Sequence, residues 1–168
     1  MTRSSMIWTV ALATAGAVVL TAPKDAPLRI AQAAAQTAPA ALSEAQDVDG
    51  AAGVVAEIVQ SKRDSGVLSI RMRLRNTGDA KVEVKILSGS NYDRYYVTAG
   101  SKKYFVLRDS EKTPLANPPA SYGDLRVEIP KGGAFVWYAK YQAPPAEVKK
   151  INYYTPITTP FEDVPITD

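Results

Sequence analysis

The stretch Val67–Asn76, VLSIRMRLRN, constrains the fold of this chain more than any other. Leu68, Ile70, Met72 and Leu74 alternate with Ser69, Arg71, Arg73 and Arg75. Successive side chains on a strand point to opposite faces, so the segment reads as a β-strand with one dry face and one wet face. Its apolar row has to be covered by a second sheet or by a helix. The rest of the chain supplies more strands of this kind and no convincing long helix, which sets the class as all-β.

The neighbouring segments repeat the pattern. Val54–Ser61 places Val54, Ala56, Ile58 and Gln60 on one face and Val55, Glu57 and Val59 on the other. The turn signal Asp64-Ser65-Gly66 joins it to Val67–Arg75 as a hairpin. After Asn76-Thr77-Gly78-Asp79, the stretch Lys81–Leu87 points Val82, Val84 and Ile86 inward. Tyr92–Thr98 and Lys103–Leu107 flank Ala99-Gly100-Ser101-Lys102 as a second hairpin, although the run Tyr104–Leu107 is apolar on both faces and gives no register. Leu125–Ile129 leads through Lys131-Gly132-Gly133 into Ala134–Tyr141, where Phe135, Trp137, Ala139 and Tyr141 share one face and Trp137 belongs in the core. Val148–Tyr154 follows Pro144-Pro145. The tail Thr155–Ile166 carries Pro156, Pro160 and Pro165, which fits a sheet edge or a surface strap. Seven or eight short strands with these turns predict an antiparallel β-sandwich over residues 53–168. An up-and-down barrel is the alternative, and the Pro-rich corners weigh against it.

Ahead of this domain, Arg3 precedes the uncharged, mostly apolar run Met6–Leu20. A positive start and a short apolar stretch read as a secretory signal, since a membrane span normally needs ~20 apolar residues. Small residues around Ala31–Ala35 suit cleavage, so residues 1–33 are expected to be a signal peptide; an uncleaved N-terminal anchor is the competing reading. The Ala-rich residues 34–52 are expected to be a linker, because short isolated helices are marginal in water. The expected location is periplasmic or extracellular, with membrane attachment only if the leader is retained.

The chain has no Cys and no His. That removes the usual zinc sets, thiol nucleophiles and imidazole acid–base chemistry. Carboxylate pairs, Ser-Lys couples and oxygen-ligated cations are what is left. The formal charge of +3 shrinks once residues 1–35 are set aside, leaving 17 basic against 16 acidic residues. A nucleic-acid partner is therefore not expected.

The succession of Asn76-Thr77-Gly78, Tyr95-Tyr96-Val97 and Lys103–Asp109 (KYFVLRD) resembles an immunoglobulin-like module of exported bacterial proteins. So do Ile129–Gly133 (IPKGG), Trp137, Ala143-Pro144-Pro145 and the closing Thr159–Ile166, TPFEDVPI. Similar modules precede a peptidoglycan-binding OmpA-type domain in some envelope proteins. The resemblance covers roughly residues 54–166 and implies an immunoglobulin-like sandwich. The sequence runs to Asp168 with no OmpA-type domain, so wall binding does not come with the resemblance, and it brings no catalytic residues.

Several residue sets are candidates for binding. Arg71, Arg73 and Arg75 repeat at ~6.6 Å along a strand, a spacing that suits a polyanion; Lys81 and Lys85 extend the set if they lie on the next strand. The plain reading is a solvated face balanced by Glu83 and Glu57. Nine tyrosines are many for this length, and Tyr offers contact area at small entropic cost. Tyr92, Tyr95, Tyr96 and Tyr122 lie beside loops and are the expected contact residues, together with the long loop Asp109–Gly123. Asn91 with Asp93, and Asp109 with Glu111 and Asp124, are oxygen-rich, but calcium asks for more ligands than either set supplies, and such residues are favoured in turns anyway. Ser65 and Ser69 near Lys62 have no spacing tied to a nucleophile motif. The resulting expectation is a non-enzymatic, exported interaction module that binds another envelope protein, without metal or cofactor. A carbohydrate- or peptidoglycan-binding module using ring stacking is the alternative, and a hydrolase with paired carboxylates is the third.

Overall fold

A computed structural model of the protein describes residues 39–168. The expected signal peptide, residues 1–33, lies outside the described residues, as does the start of the expected linker. The strands are β1 (Gln46–Asp47), β2 (Val54–Asp64), β3 (Val67–Asn76), β4 (Val82–Leu87), β5 (Tyr96–Ala99), β6 (Lys102–Phe105), β7 (Leu125–Ile129), β8 (Ala134–Gln142), β9 (Lys150–Tyr154) and β10 (Phe161–Pro165). They form two four-stranded sheets, ordered β1-β2-β3-β8 and β10-β9-β5-β6, and a ribbon of β4 with β7. Every named strand pair is antiparallel. The protein is all-β, and among the described residues no helix is long and apolar enough to cross a membrane.

The alternation in β3 settles the first sheet. Leu68, Ile70, Met72 and Leu74 are completely buried, and burying each side chain of that size contributes about 1.5–3 kcal/mol. Ser65 and Gly66, at φ 49° and 80°, turn β2 into β3. Left-handed backbone at both central positions matches the right-handed twist of the two strands. Trp137, Ala139 and Tyr141 continue the dry face onto β8, as their spacing predicts. From the second sheet, Val97, Ile151, Tyr153 and Val164 complete the same core. The two inner faces meet through aromatic groups: Trp137 Nε1 donates to the Tyr153 hydroxyl at 3.1 Å, and the Tyr141 and Tyr153 hydroxyls lie 3.3 Å apart.

The structure has ten strands where seven or eight were expected, and it departs from the sequence reading in further places. A bulge between Ile58 and Gln60 shifts the phase of β2, so Gln60 turns outward and Ser61 is buried in its place. A period-two reading has no means of seeing one extra residue. Tyr92–Arg94 is a single 3₁₀ turn, and the strand begins only at Tyr96. The expected linker is, from residue 42 onward, part of the domain. The Leu42 N–H donates to the Ile58 carbonyl, β1 pairs with β2, and Val48 and Ala51 are buried. Alanine-rich composition hid this, because the contacts are made by Leu42, Val48 and backbone groups.

The tail is a sheet edge, as its prolines predict. Strand β10 borders β9, and the chain then crosses to the first sheet, where Thr167 pairs with β2 in parallel. Arg63 closes this corner. Its guanidinium donates to the carbonyls of Pro144, Pro145, Ala146 and Val148 and to Asp168. Asn76 has the same stitching role at the opposite end, donating to the carbonyls of Ala80 and Ile129 while its own Oδ1 accepts from Gly78.

Candidate functional site

The aromatic residues divide sharply. Tyr95, expected at the surface, is fully buried: its ring packs 4.5 Å from Trp137, and its hydroxyl donates to the Ile86 carbonyl. Tyr92 is buried too, with its hydroxyl donating to the Asn117 carbonyl at 2.9 Å. Both expectations are corrected for one reason. Position beside a loop says nothing about whether the loop folds back over the ring. Burial raises the Tyr95, Tyr141 and Tyr153 hydroxyls above the ordinary phenol value, Tyr153 to about 12. These three groups are structural, neutral and hydrogen-bonded.

Tyr96 is half-buried on the outer face of the second sheet, in one cross-strand row with Phe105 and Tyr154. The Tyr154 ring stacks on it at 4.6 Å, and the Lys103 ammonium sits over it at 4.5 Å. Its π-faces are already in use. Tyr122 is the opposite case, fully exposed at the tip of a tight turn. Its φ is 52° and that of Gly123 is 79°. A bulky residue with positive φ is costly, so the ring is held out in water at the expense of backbone strain.

The arginine row is not a uniform cationic strip. Glu57, across from Arg73 on β2, receives Arg73 Nε at 2.9 Å and Arg75 Nε at 2.7 Å. Burial pushes the Glu57 carboxyl up, but the hydrogen bonds from Arg75 and Arg73 outweigh it and hold the group below the usual range. Lys81 and Lys85 do not extend the row, because β4 pairs with β7. They face Glu128 and Asp124, and Glu83 pairs with Arg126 on that ribbon. Asp124 also accepts from the Gly89 N–H, which together with Lys85 lowers its pKa. Asp109 accepts the N–H groups of Glu111 and Thr113, the ordinary work of an aspartate in a turn. Ser65 donates to Asp64, and Ser69 lies opposite Lys62 on the solvent face.

What the fold assembles instead is a groove at the outer edge of β8. The loop after β6 lies along that strand. The Leu107 N–H donates to the Lys140 carbonyl, the Lys140 N–H to the Leu115 carbonyl, and the Tyr138 N–H to Asn117 Oδ1 at 2.6 Å. The free edge is thereby covered, which removes a pairing hazard. The Tyr92 hydroxyl also fastens the loop from beneath by donating to the Asn117 carbonyl. Between loop and strand lies a groove of about 530 Å³ lined by Tyr92, Arg108, Pro114, Pro118, Pro119 and Tyr138. Tyr138 and Val136, both over 40% exposed, stand on the solvent face beside it. A second hollow of about 200 Å³, lined by Gln60, Ser69, Arg71 and Lys140, lies on the other side of Tyr138.

Sequence reasoning had the loop but missed Tyr138 and Arg108. The signal for Tyr138 was present: Trp137, Ala139 and Tyr141 take the inward phase, which leaves positions 136, 138 and 140 facing water. No family model, no curated protein and no solved structure matches the chain.

Proposed function

We propose that this chain is an exported interaction module, an immunoglobulin-like β-sandwich that binds another protein at the cell envelope through the groove beside Tyr138. The observation that carries the reading is the groove itself. It is apolar, lined by three prolines and two tyrosines, and built by a loop fastened to the sheet rather than draped over it. A preformed slot loses little conformational freedom when a partner enters. Tyr122, at the far end of the same loop, offers a further exposed ring. The immunoglobulin-like assignment draws on the resemblance of residues 54–166 and on the two four-stranded antiparallel sheets. Export draws on Arg3 and the apolar run Met6–Leu20.

A photo-reactive amino acid at position 118 tests the site. Irradiation with envelope fractions should give a protein adduct from position 118 and none from position 131, which lies in a distant turn. Tyr138→Ala should abolish the adduct. Adducts of equal yield from both positions would dismiss the groove as the contact. Deletion of residues 1–33 should retain the protein in the cytoplasm; undiminished export of the truncated chain would dismiss the leader.

The ring-stacking alternative would draw on Phe105, Tyr96 and Tyr154. Tyr96 is covered by Tyr154 and Lys103, so the row offers no open central platform.

A further inference from the structure

Resting on the groove reading above, we infer that its partner presents an acidic peptide segment carrying one large apolar side chain. Two cross-strand rows on the outer face of the first sheet define the surroundings of Tyr138. Arg71 stands directly opposite Tyr138, with Gln60 beyond it. The next row is Lys62, Ser69 and Lys140. Neighbouring strands are ~4.8 Å apart and same-face residues ~6.6 Å apart, so Lys62, Arg71 and Lys140 cluster within one side chain's reach of the small hollow.

Among the described residues none of these three has a carboxylate within 4.0 Å, and neither does Arg108 on the groove's rim, which donates only to the Lys112 carbonyl. The contrast along β3 is direct. Arg73 and Arg75 share the carboxylate of Glu57, and Arg71, one step further on, has no such partner among the described residues. Asp109, next to Arg108 in the chain, turns its Oδ1 toward the N–H groups of Glu111 and Thr113.

The arrangement therefore has two unlike halves on either side of one ring. The groove walled by Pro114, Pro118 and Pro119 accepts an apolar side chain, while the hollow over Arg71 and Lys140 accepts carboxylates. An extended peptide delivers both, because consecutive side chains are only ~3.3 Å apart along the chain. Anionic glycans supply the charge without the apolar side chain. Charge complementarity of this kind fixes partner choice and raises the association rate.

The test uses the full chain and four labelled peptides, three of them acidic or neutral and one a lysine-rich control, read by fluorescence anisotropy at low and moderate salt. One is glutamate-rich with a central tryptophan, one has glutamine at each glutamate position, and one keeps the glutamates but replaces tryptophan by alanine. The first peptide should bind tightest and weaken with salt. Arg71→Glu combined with Lys140→Glu should weaken it by at least about tenfold, while a lysine-rich version of the peptide gains affinity for that variant. Tyr138→Ala should erase the preference for tryptophan over alanine. These charges are on the solvent face, and an unchanged circular-dichroism melt would show that the variants fold. Equal binding of the glutamine peptide, or no effect of the charge reversal, overturns the acidic chemistry and leaves the groove standing. So does capture at position 118 when none of the peptides binds. Binding of polygalacturonate through the same residues, with no peptide binding, overturns it in favour of a glycan. Failure of both the peptides and the capture removes the inference together with the groove reading.

Discussion

Strand β8 carries two aromatic surfaces one residue apart, and they obey different rules. On its inner face Trp137 and Tyr141 have every polar atom engaged: indole to Tyr153 hydroxyl, hydroxyl to hydroxyl. On its outer face Tyr138 is 41% exposed and stands between two depressions. The inner set is bound to stability because burial removes water as an alternative partner for each polar atom. The outer set leaves its rings and cations available to something outside the molecule. Nothing in residue type separates the two. Only the direction in which the side chain points does.

The comparison breaks first at its centre. Trp137→Ala should cost about 3–5 kcal/mol, since the void would be enclosed by Tyr92, Tyr95 and the second sheet; urea denaturation followed by circular dichroism measures it. A cost under one kilocalorie would mean that the two inner faces are not held apart by this ring. Tyr153→Phe is the subtler probe, deleting one hydroxyl and stranding two donors, Trp137 Nε1 and the Tyr141 hydroxyl. It should cost about 1–3 kcal/mol at neutral pH, with the far-ultraviolet spectrum intact.

The same network predicts alkaline behaviour. The buried phenols have folded pKa values above the ordinary 10.0, about 12 for Tyr153. Their contribution is therefore complete below pH 10 and is lost as the pH rises toward 12. Tyrosinate absorbance should grow in two stages, exposed rings first and the buried ones only as the chain unfolds. A single stage centred on the ordinary value would show the interior rings to be wet.

On the outer face, Glu57→Gln should cost about 1–2 kcal/mol, because both arginines lose a charged acceptor. The sign with pH follows from the lowered carboxyl. Its contribution is present above the ordinary value of 4.5 and is lost as the pH falls through the lower folded value. The variant should thus lose less stability on acidification than the natural chain does. The smallest effect belongs to Tyr138→Ala and Tyr122→Ala, each within about 0.5 kcal/mol of the natural protein. A larger loss at Tyr138 would move that ring from the contact surface into the structural set.

How much of this was legible depended on the range of the interactions involved. The β3 row, the hairpin at Ser65-Gly66 and the inward placement of Trp137 and Tyr141 were all readable. The β2 bulge was not, because it is fixed by pairing with β3 rather than by any local pattern. The burial of Tyr92 and Tyr95 was hidden because the groups that accept their hydroxyls, the carbonyls of Asn117 and Ile86, lie on other segments. The candidate site was half legible. Its loop stood out by length and prolines, but the union of Arg71 with Lys62 and Lys140 required knowing which strands are neighbours.

The sequence by itself determined which side of each strand is dry, because covalent geometry turns alternate side chains to opposite faces and apolar groups leave water. The tertiary structure alone decided which of the wet residues meet. Lysines 81 and 85 look like natural companions for the arginine row, yet β4 pairs with β7 and delivers them to Glu128 and Asp124. Strand adjacency arises from contacts among residues far apart in the chain, and it is adjacency that leaves Arg71 next to Tyr138 without a carboxylate partner among the described residues.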